Sequence, residues 1–267
     1  MVLIAVGFLV FTNHSRAQSV EEGIGLKLGA HSVSFQDMQL SPNIQKDFSI
    51  KTFAVNYKRR KSHRVSEVEF GSTWYSLNSD NSYTYVRDGI SRETFISSST
   101  LVNLRYSTAW NLRKSAFHAG LMIDNQIRAN EQAYGWTTAF NYFAAFSMGP
   151  VLYYTKAVSE RCDLSLKSWI PVFAWVTRSP YALNDDDYMR NNMNHKGVET
   201  FANYVADGSL KILNRFQKFN AEARFDYSLS RRFDVLISYE LEMLRYTPGR
   251  NFISYQNFVN LGAEYKF

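Results

Sequence analysis

The chain of 267 residues contains one cysteine, Cys162, so it cannot form an internal disulfide. A small secreted scaffold held together by disulfides is therefore excluded. The five prolines and thirteen glycines gather into no linker or low-complexity tract, and the sequence contains no repeat of fixed period. We therefore expect a single folded domain.

Long apolar runs are also missing. The N-terminal run MVLIAVGFLVF has about eleven residues, whereas a helix that crosses a bilayer needs about twenty. This run has the length of the apolar region of a signal peptide, and Ser15 and Ala17 supply the small residues of a cleavage site. We predict a signal peptide over residues 1–17, with cleavage before Gln18, and one domain over residues 18–267.

Neither sign of charge dominates the sequence. The net charge is +6, from 30 basic and 24 acidic residues. This excess is too small for the basic footprint of a nucleic-acid-binding protein, and predicted export argues in the same direction. We expect no nucleic-acid partner.

Known catalytic motifs are absent as well. The sequence contains no HExxH, no GxSxG, no phosphate-binding glycine loop and no Cys/His spacing of a zinc site. We predict no catalytic residue, no metal and no cofactor. One polar loop, 177–207, carries residues 185–187 (all Asp) and Asn191, Asn192 and Asn194, whose oxygens suit Ca²⁺, but their spacing matches no known calcium cage. A solvated acidic loop is the simpler expectation.

Aromatic residues are abundant. The chain has 17 Tyr, 20 Phe and 5 Trp, yet its mean hydropathy is −0.30. Such an average is typical of a membrane barrel, because polar residues facing the lumen offset apolar residues facing lipid. Many of the aromatics fall near predicted strand ends, where interfacial girdles are expected: Trp74, Tyr75, Tyr106, Trp110, Tyr142, Tyr153, Tyr154, Trp169, Trp175, Tyr227, Tyr239, Tyr246, Tyr255 and Tyr265.

Apolar and polar residues alternate along much of the chain. In the last nine residues, VNLGAEYKF, one face carries Val259, Leu261, Ala263, Tyr265 and Phe267. This period of two predicts a β-strand with one apolar face. The same pattern predicts ten strands: 22–31, 48–58, 64–77, 93–109, 114–126, 137–157, 163–176, 208–228, 233–246 and 252–267. A break at Gly149-Pro150, combined with an extra strand in 198–206, would instead give twelve.

Short and long connections alternate between these strands. Short polar turns are predicted at 59–63, 111–114, 159–162 and 228–232. Longer polar stretches are predicted at 32–47, 78–92, 127–136 and 177–207, with a shorter one at 247–251. This alternation is typical of barrels with periplasmic turns and extracellular loops.

The predicted signal peptide, the ten alternating runs and the closing VNLGAEYKF together resemble a small bacterial outer-membrane β-barrel protein. The resemblance is one of architecture and points to no named family. It implies an all-β, closed, antiparallel, up-and-down transmembrane barrel of about ten strands in the outer membrane of a Gram-negative bacterium. It further implies contact with lipid and lipopolysaccharide, and rims open to an envelope protein partner. The barrel-assembly machinery would read an assembly signal at Val259, Leu261, Ala263, Tyr265 and Phe267.

The faces opposite the apolar ones would line the lumen, and they carry charges of both signs. The candidate network is Glu67, Glu69, Arg105, His118, Asp124, Lys167, Glu222, Arg224, Asp226, Glu240, Glu242 and Glu264, accompanied by Lys58, Asn103, Asp163, Lys218 and Lys266. A barrel of ten strands is only slightly wider than one that side chains fill. A lumen plugged by ion pairs and a narrow porin-like polar pore are both open readings.

Three functional hypotheses follow. The first is a non-enzymatic outer-membrane barrel that serves as a narrow pore or as a structural or accessory component of an envelope complex. The second is a hydrolase of lipid or peptide at the barrel rim, which would use His195 or His118 with a nearby serine or acid. The third is a secreted soluble β-sandwich, whose apolar faces would pack against each other.

Overall fold

The computed structural model describes residues 20–79, 84–112, 116–134, 137–179 and 196–267. The predicted signal peptide, residues 185–194 and His195 lie outside these ranges. The described strands are β1 (Glu21–Asp37), β2 (Gln45–Lys61), β3 (Arg64–Ser79), β4 (Thr84–Arg87), β5 (Ile90–Asn111), β6 (Phe117–Tyr134), β7 (Thr137–Ser159), β8 (Cys162–Trp169), β9 (Phe173–Arg178), β10 (Ser209–Ile212), β11 (Phe216–Ser230), β12 (Phe233–Tyr246) and β13 (Phe252–Lys266), and the described helix is α1 (Gly197–Ala206).

The strands form a closed antiparallel ring. Strand β1 pairs with β13 from Gly23 opposite Lys266 to Asp37 opposite Phe252, and this pairing closes the sheet. The ring order is β1, β2, β3, β5, β6, β7, β8, β11, β12, β13. Strand β4 pairs with the start of β5. Strand β9 pairs with β7 beyond the segment that pairs with β8, and β10 pairs with the other edge of β9. The predicted up-and-down barrel of ten strands is confirmed.

The twelve-strand alternative is wrong. Strand β7 runs without interruption past Gly149 and Pro150, and residues 197–206 are helical rather than extended. The interruption falls in the facing segment, where Ile170, Pro171 and Val172 separate β8 from β9. A glycine is needed at position 149 because a Cβ there would collide with the carbonyl oxygen of Ile170.

Two of the predicted long connections are largely strand. Strand β1 continues to Asp37 and β6 to Tyr134, so the predicted loops at 32–47 and 127–136 are shorter than expected. Their polar residues alternate between the two faces of the wall instead of forming a loop. Polar composition alone therefore does not end a strand in this barrel.

The helix α1 lies against the outer surface of the wall. The ring of Tyr204 stacks on Tyr142 at a centroid distance of 4.2 Å. The Thr177 hydroxyl donates to the carbonyl of Tyr204 (2.5 Å), and the Trp175 indole donates to the carbonyl of Val205 (2.8 Å). These contacts fix the helix on the outward face of β9. Within the described ranges, the helical segment is too short to cross a lipid bilayer.

Burial is inverted relative to a water-soluble protein. On β13, Val259 and Leu261 are 47% and 63% exposed, whereas Gln256 is fully buried. On β12, Ile237 is 47% exposed and Glu242 is fully buried. Apolar side chains thus face outward and polar ones inward, which requires acyl chains around the wall. The β-sandwich hypothesis is wrong, because within the described ranges these apolar faces pack against no second sheet.

Four of the fourteen aromatics predicted for the girdles face the lumen instead. Tyr75, Tyr153, Trp169 and Tyr246 are each less than 8% exposed. The prediction failed because it used nearness to a strand end and ignored alternation. Trp169, for example, shares the parity of Lys167, which faces inward. The outward set includes Trp110, whose ring lies 5.7 Å from the Arg64 guanidinium.

Close packing of neighbouring strands generates the first prediction. A Cβ at Gly120 would collide with the backbone of Thr108 and Ala109 on β5, whereas a Cβ at Gly71 would meet only ordinary contacts with Ala54 (3.5 Å) and Phe53 (3.6 Å). We expect Gly120→Ala to lower the free energy of unfolding by about 1–3 kcal/mol through overpacking. The matched control Gly71→Ala should change it by less than about 1 kcal/mol.

The measurement is urea unfolding of the purified protein in detergent. The folded fraction is read on gels from the band of the unboiled barrel, which migrates differently from boiled protein. Equal stability of the two variants would contradict the close approach of β5 and β6.

Candidate functional site: the filled lumen

The lumen is filled by layers of side chains between its two ends. The short turns after β2, β7 and β11 lie at one end, and in bacterial barrels such turns are periplasmic. We therefore refer to that end as periplasmic and to the opposite end as extracellular. Ion pairs occupy the middle of the lumen, and aromatic rings fill the extracellular half.

The central network consists of three cations and five carboxylates: Lys27, Arg105, Lys218, Glu69, Asp124, Glu222, Glu240 and Glu242. Arg105 is its hub. The guanidinium nitrogens of Arg105 lie within ion-pair distance of four carboxylates, namely Glu240 (2.7 Å), Glu69 (3.3 Å), Asp124 (3.4 Å) and Glu242 (3.5 Å).

The two lysines complete the central network from opposite sides. Lys27 Nζ lies 2.6 Å from Glu69 and 3.3 Å from Glu222. Lys218 Nζ lies 2.7 Å from Asp124 and 3.0 Å from Glu242. Because Glu69, Asp124 and Glu242 each contact two cations, the pairs form one continuous cluster and not separate bridges.

Strand register brings Arg105 and two of its carboxylate partners together. Arg105 on β5 stands directly opposite Glu69 on β3 and Asp124 on β6, so an acid, a base and an acid lie side by side across three strands. Opposite charges at paired positions stabilise neighbouring strands. On the far wall Glu222 stands opposite Glu240, and these adjacent carboxylates need the cations that reach across the lumen.

Neutral side chains donate further hydrogen bonds to Glu242 and Asp124. The amides of Gln126 and Gln256 donate to Glu242 at 2.9 and 2.6 Å. The Trp169 indole donates to Asp124 at 3.1 Å, and its ring lies 5.0 Å from the Arg105 guanidinium. A buried charge is tolerated only when its hydrogen-bonding capacity is largely satisfied.

Two smaller clusters lie beside the central network. Lys167 donates to Glu67 at 2.9 Å, and Tyr153 lies next to both side chains. Arg224 pairs with Asp226 (2.7 Å) and with Glu264. The Lys167–Glu67 pair is neutral, whereas Arg224 offsets one of its two carboxylates. Both clusters extend the packed polar interior along the walls of β3, β8, β11 and β13.

An aromatic plug fills the extracellular half of the lumen. The rings of Phe143 and Phe252 stack at 4.4 Å, and Phe35 meets Phe252 edge-on at 5.1 Å. Buried Arg128 lies 5.0 Å from the ring centroid of Phe35 and 5.4 Å from that of Phe252. These distances are typical of cation–π contacts, which compensate in part for a guanidinium buried among rings.

The plug is anchored at the rim by a second arginine. Arg178 pairs with Asp37, and its guanidinium lies 5.8 Å from the Phe252 ring. The plug residues lie on the same inward face as the polar residues of their strands. On β1, for example, Phe35 shares this face with Lys27 and His31. The plug was not predicted, because only polar side chains were expected in the lumen. The alternation of side chains along the strands nevertheless placed these rings on the inward face.

The structure distributes the sequence-predicted residues as follows. Six of them, Glu69, Arg105, Asp124, Glu222, Glu240 and Glu242, lie in the central network, and five, Glu67, Lys167, Arg224, Asp226 and Glu264, lie in the two smaller clusters. His118 stands apart: it was expected beside Asp124 or Arg105, but its Nε2 lies 3.5 Å from the Asn111 amide. Lys27 was missed, although its place between Leu26 and Leu28 marks it as inward-facing.

Among the described residues, no group of three or more His, Cys, Asp or Glu side chains could hold a metal ion. The loop carboxylates at 185–187 lie outside those residues, as do Asn191, Asn192 and Asn194.

The predicted C-terminal signal lies on the outward face of β13. Val259, Leu261, Tyr265 and Phe267 are all exposed, and the rings of Tyr265 and Phe267 stack at 6.4 Å. The Phe267 amide donates to the carbonyl of Glu22 (3.0 Å), so this segment also belongs to the seam that closes the barrel.

Comparison with known proteins finds similar solved structures but no similar sequence. No family model and no curated protein sequence matches it. Solved structures that match include the outer membrane protease OmpT of Escherichia coli (9% identity, 93% of this chain and 96% of that chain, TM-score 0.41). They also include the translocator domain of the autotransporter NalP of Neisseria meningitidis (7% identity, 93% and 88%, TM-score 0.47) and Neisserial surface protein A (8% identity, 92% and 97%, TM-score 0.35).

The TM-scores of these structures are all below 0.5, and their identities to this chain are below 10%. The chain itself forms a closed antiparallel ring of ten strands, with an apolar outer surface and a polar, ion-paired interior. Closed barrels with this distribution of side chains are the β-architecture that spans membranes. The chain is a closed antiparallel β-barrel of ten strands with the side-chain distribution of a membrane-spanning barrel.

Proposed function

We propose that this protein is a sealed, non-enzymatic barrel that acts as a structural or accessory component of the bacterial outer membrane, and not as a pore. The observation that carries the proposal is the Arg105 hub, which ties four carboxylates from three strands, β3, β6 and β12, together across the lumen. A barrel of this kind offers its wall to lipid and its two rims to partners.

Exclusion of water from the middle of the lumen supports a sealed state. Lys27, Arg105, Asp124 and Gln126 are each no more than 4% exposed, and Glu242 is fully buried. A conducting pore would need hydrated side chains at this level. The polar character of the lumen therefore reflects packing of ion pairs and not a path for ions.

The aromatic plug supplies a second barrier. Phe35, Phe143 and Phe252 are each no more than 1% exposed. An ion would have to displace both layers to cross, and disrupting the central network would leave several buried charges without partners at a cost of a few kcal/mol each. Two barriers of different chemistry make spontaneous opening unfavourable.

The hydrolase alternative has no comparable support. It requires a serine or acid within hydrogen-bond reach of His118 or His195, and the described side chain at that distance from His118 is the Asn111 amide. His195 lies outside the described residues. We retain this alternative only as an outcome that activity assays could reveal.

The proposal includes a route to the membrane. Residues 1–17 would direct export, and the outward-facing apolar and aromatic residues from Val259 to Phe267 would be read by the barrel-assembly machinery. Lipid and lipopolysaccharide would surround the wall, and an envelope protein could bind a rim. Mass spectrometry of the protein isolated from outer membranes, with Gln18 as its first residue, is the test of the export step.

Conductance tests the sealed state directly. We expect the wild-type protein, inserted into planar bilayers, to give no single-channel steps, because both layers exclude water. An open porin inserted under the same conditions is the positive control, and unboiled gel samples verify that the protein is folded. Reproducible steps from the folded wild-type protein would overturn the proposal in favour of a narrow pore.

The Arg105 hub generates a stability prediction. We expect Arg105→Gln to lower the free energy of unfolding by about 3–5 kcal/mol, because it leaves buried carboxylates without their shared cation. The control is Arg59→Gln, since Arg59 forms a partly exposed pair with Glu22 (3.0 Å). Such surface pairs contribute only about 0–1 kcal/mol. Urea unfolding in detergent measures both variants.

If Arg105→Gln and Arg59→Gln lower the free energy of unfolding by a similarly small amount, Arg105 does not hold the lumen together. Arg105→Lys sharpens the test, because an ammonium group keeps the charge but lacks the planar fork that reaches several carboxylates. We expect its stability to fall between those of Arg105→Gln and the wild type.

A further inference from the structure

The lumen opens at its periplasmic end into a cavity of about 360 Å³. Its lining includes Glu21, Arg60, Lys61, Ser62, His118 and Thr155, and we call it the periplasmic vestibule. Its volume lies at the lower end of the range of small-molecule sites. The vestibule is not part of the central network, and the proposed sealing role does not use it.

Backbone hydrogen bonds fix the walls of the vestibule. The Asn111 amide donates to the carbonyl of His63 (2.9 Å), which ties the end of β5 to the β2–β3 turn. The Thr155 amide donates to the carbonyl of Ala116 (3.1 Å), which ties β7 to the start of β6. The lining side chains therefore project from a preformed frame.

The charges of the vestibule are unbalanced. The acid in its lining, Glu21, pairs with Lys266 (2.9 Å) outside it. Among the described residues, Arg60 and Lys61 have no carboxylate within ion-pair distance, in contrast to the neighbouring Arg59, which pairs with Glu22. Glu21 stands opposite Arg60 in the β1–β2 register, but Lys266 holds its carboxylate, so neither cation of the cavity forms an ion pair within the described part of the chain.

The adjoining part of the same mouth gives a useful contrast. There a smaller cavity of about 20 Å³ is lined by four basic and five acidic side chains, and it has room for about one water molecule. That side has one acidic side chain more than basic ones, and Arg60 and Glu21 belong to both linings. The larger cavity is lined by two cations and one acid, and it has the space for a ligand.

From this arrangement we propose that the periplasmic vestibule binds a phosphate group. Arg60 supplies a planar fork and Lys61 an ammonium group, both suited to phosphate oxygens. The hydroxyls of Ser62 and Thr155 and the imidazole of His118 add neutral hydrogen-bond donors around the same cavity. The phosphate would come either from the headgroup of an inner-leaflet phospholipid or from a soluble periplasmic compound.

Calorimetric titration of the full-length protein in a nonionic detergent tests the site. Inorganic phosphate is the soluble probe, and dihexanoyl phosphatidylglycerol is the lipid probe. We expect saturable binding of at least one probe, weakened at least tenfold in the double variant R60Q/K61Q. The control R231Q/R232Q removes the same charge from the exposed turn after β11, outside the vestibule, and should bind within twofold of the wild type.

Each outcome is decisive. Binding of inorganic phosphate assigns the site to a soluble phosphate compound, and binding of the lipid probe alone assigns it to a headgroup. Equal weakening in both double variants would mean diffuse attraction to the basic rim and would overturn the proposal, as would the absence of saturable binding. The variant T155V, which keeps all charges, should weaken binding measurably if the vestibule is the site, and gel migration of unboiled samples verifies that each variant is folded.

Discussion

The pairing of β1 with β13 is the constraint on which the structure depends. A sheet in lipid cannot leave an unpaired edge, because its free amide and carbonyl groups would find no water. The register from Gly23–Lys266 to Asp37–Phe252 satisfies both edges over the length of the strands. Closure in turn defines an inside, and it is this enclosed volume that allows charged side chains to be buried within a membrane.

Once the ring is closed, electrostatics determine which side chains can fill the lumen. A narrow barrel has little room for water, so each inward charge needs a partner from another strand. Arg105, Lys27 and Lys218 meet this need by reaching carboxylates across the lumen. At the extracellular end, rings replace carboxylates as the surroundings of Arg128. Charge pairing and ring packing are two solutions to the same problem of filling a closed space.

Much of this architecture could be predicted from the sequence. Alternation with a period of two fixed the number of strands and most of their bounds, because the two faces meet different surroundings. The inward position of Trp169 and the plug residue Phe35 was also encoded in that alternation, but a general expectation of girdles and polar lumens masked it. Contacts across the lumen, such as Lys27 with Glu222, could not be predicted, because they depend on barrel curvature and stagger, which no local pattern contains.

The outward-facing tyrosines of β13 indicate the thickness of the bilayer that this barrel fits. Tyr255 and Tyr265 are ten residues apart, and at about 3.4 Å per residue and a tilt of about 40° their separation along the membrane normal is about 25 Å. This is less than the roughly 30 Å of an average hydrocarbon core. The wall thus suits a thin membrane, and a thicker one would have to compress around it.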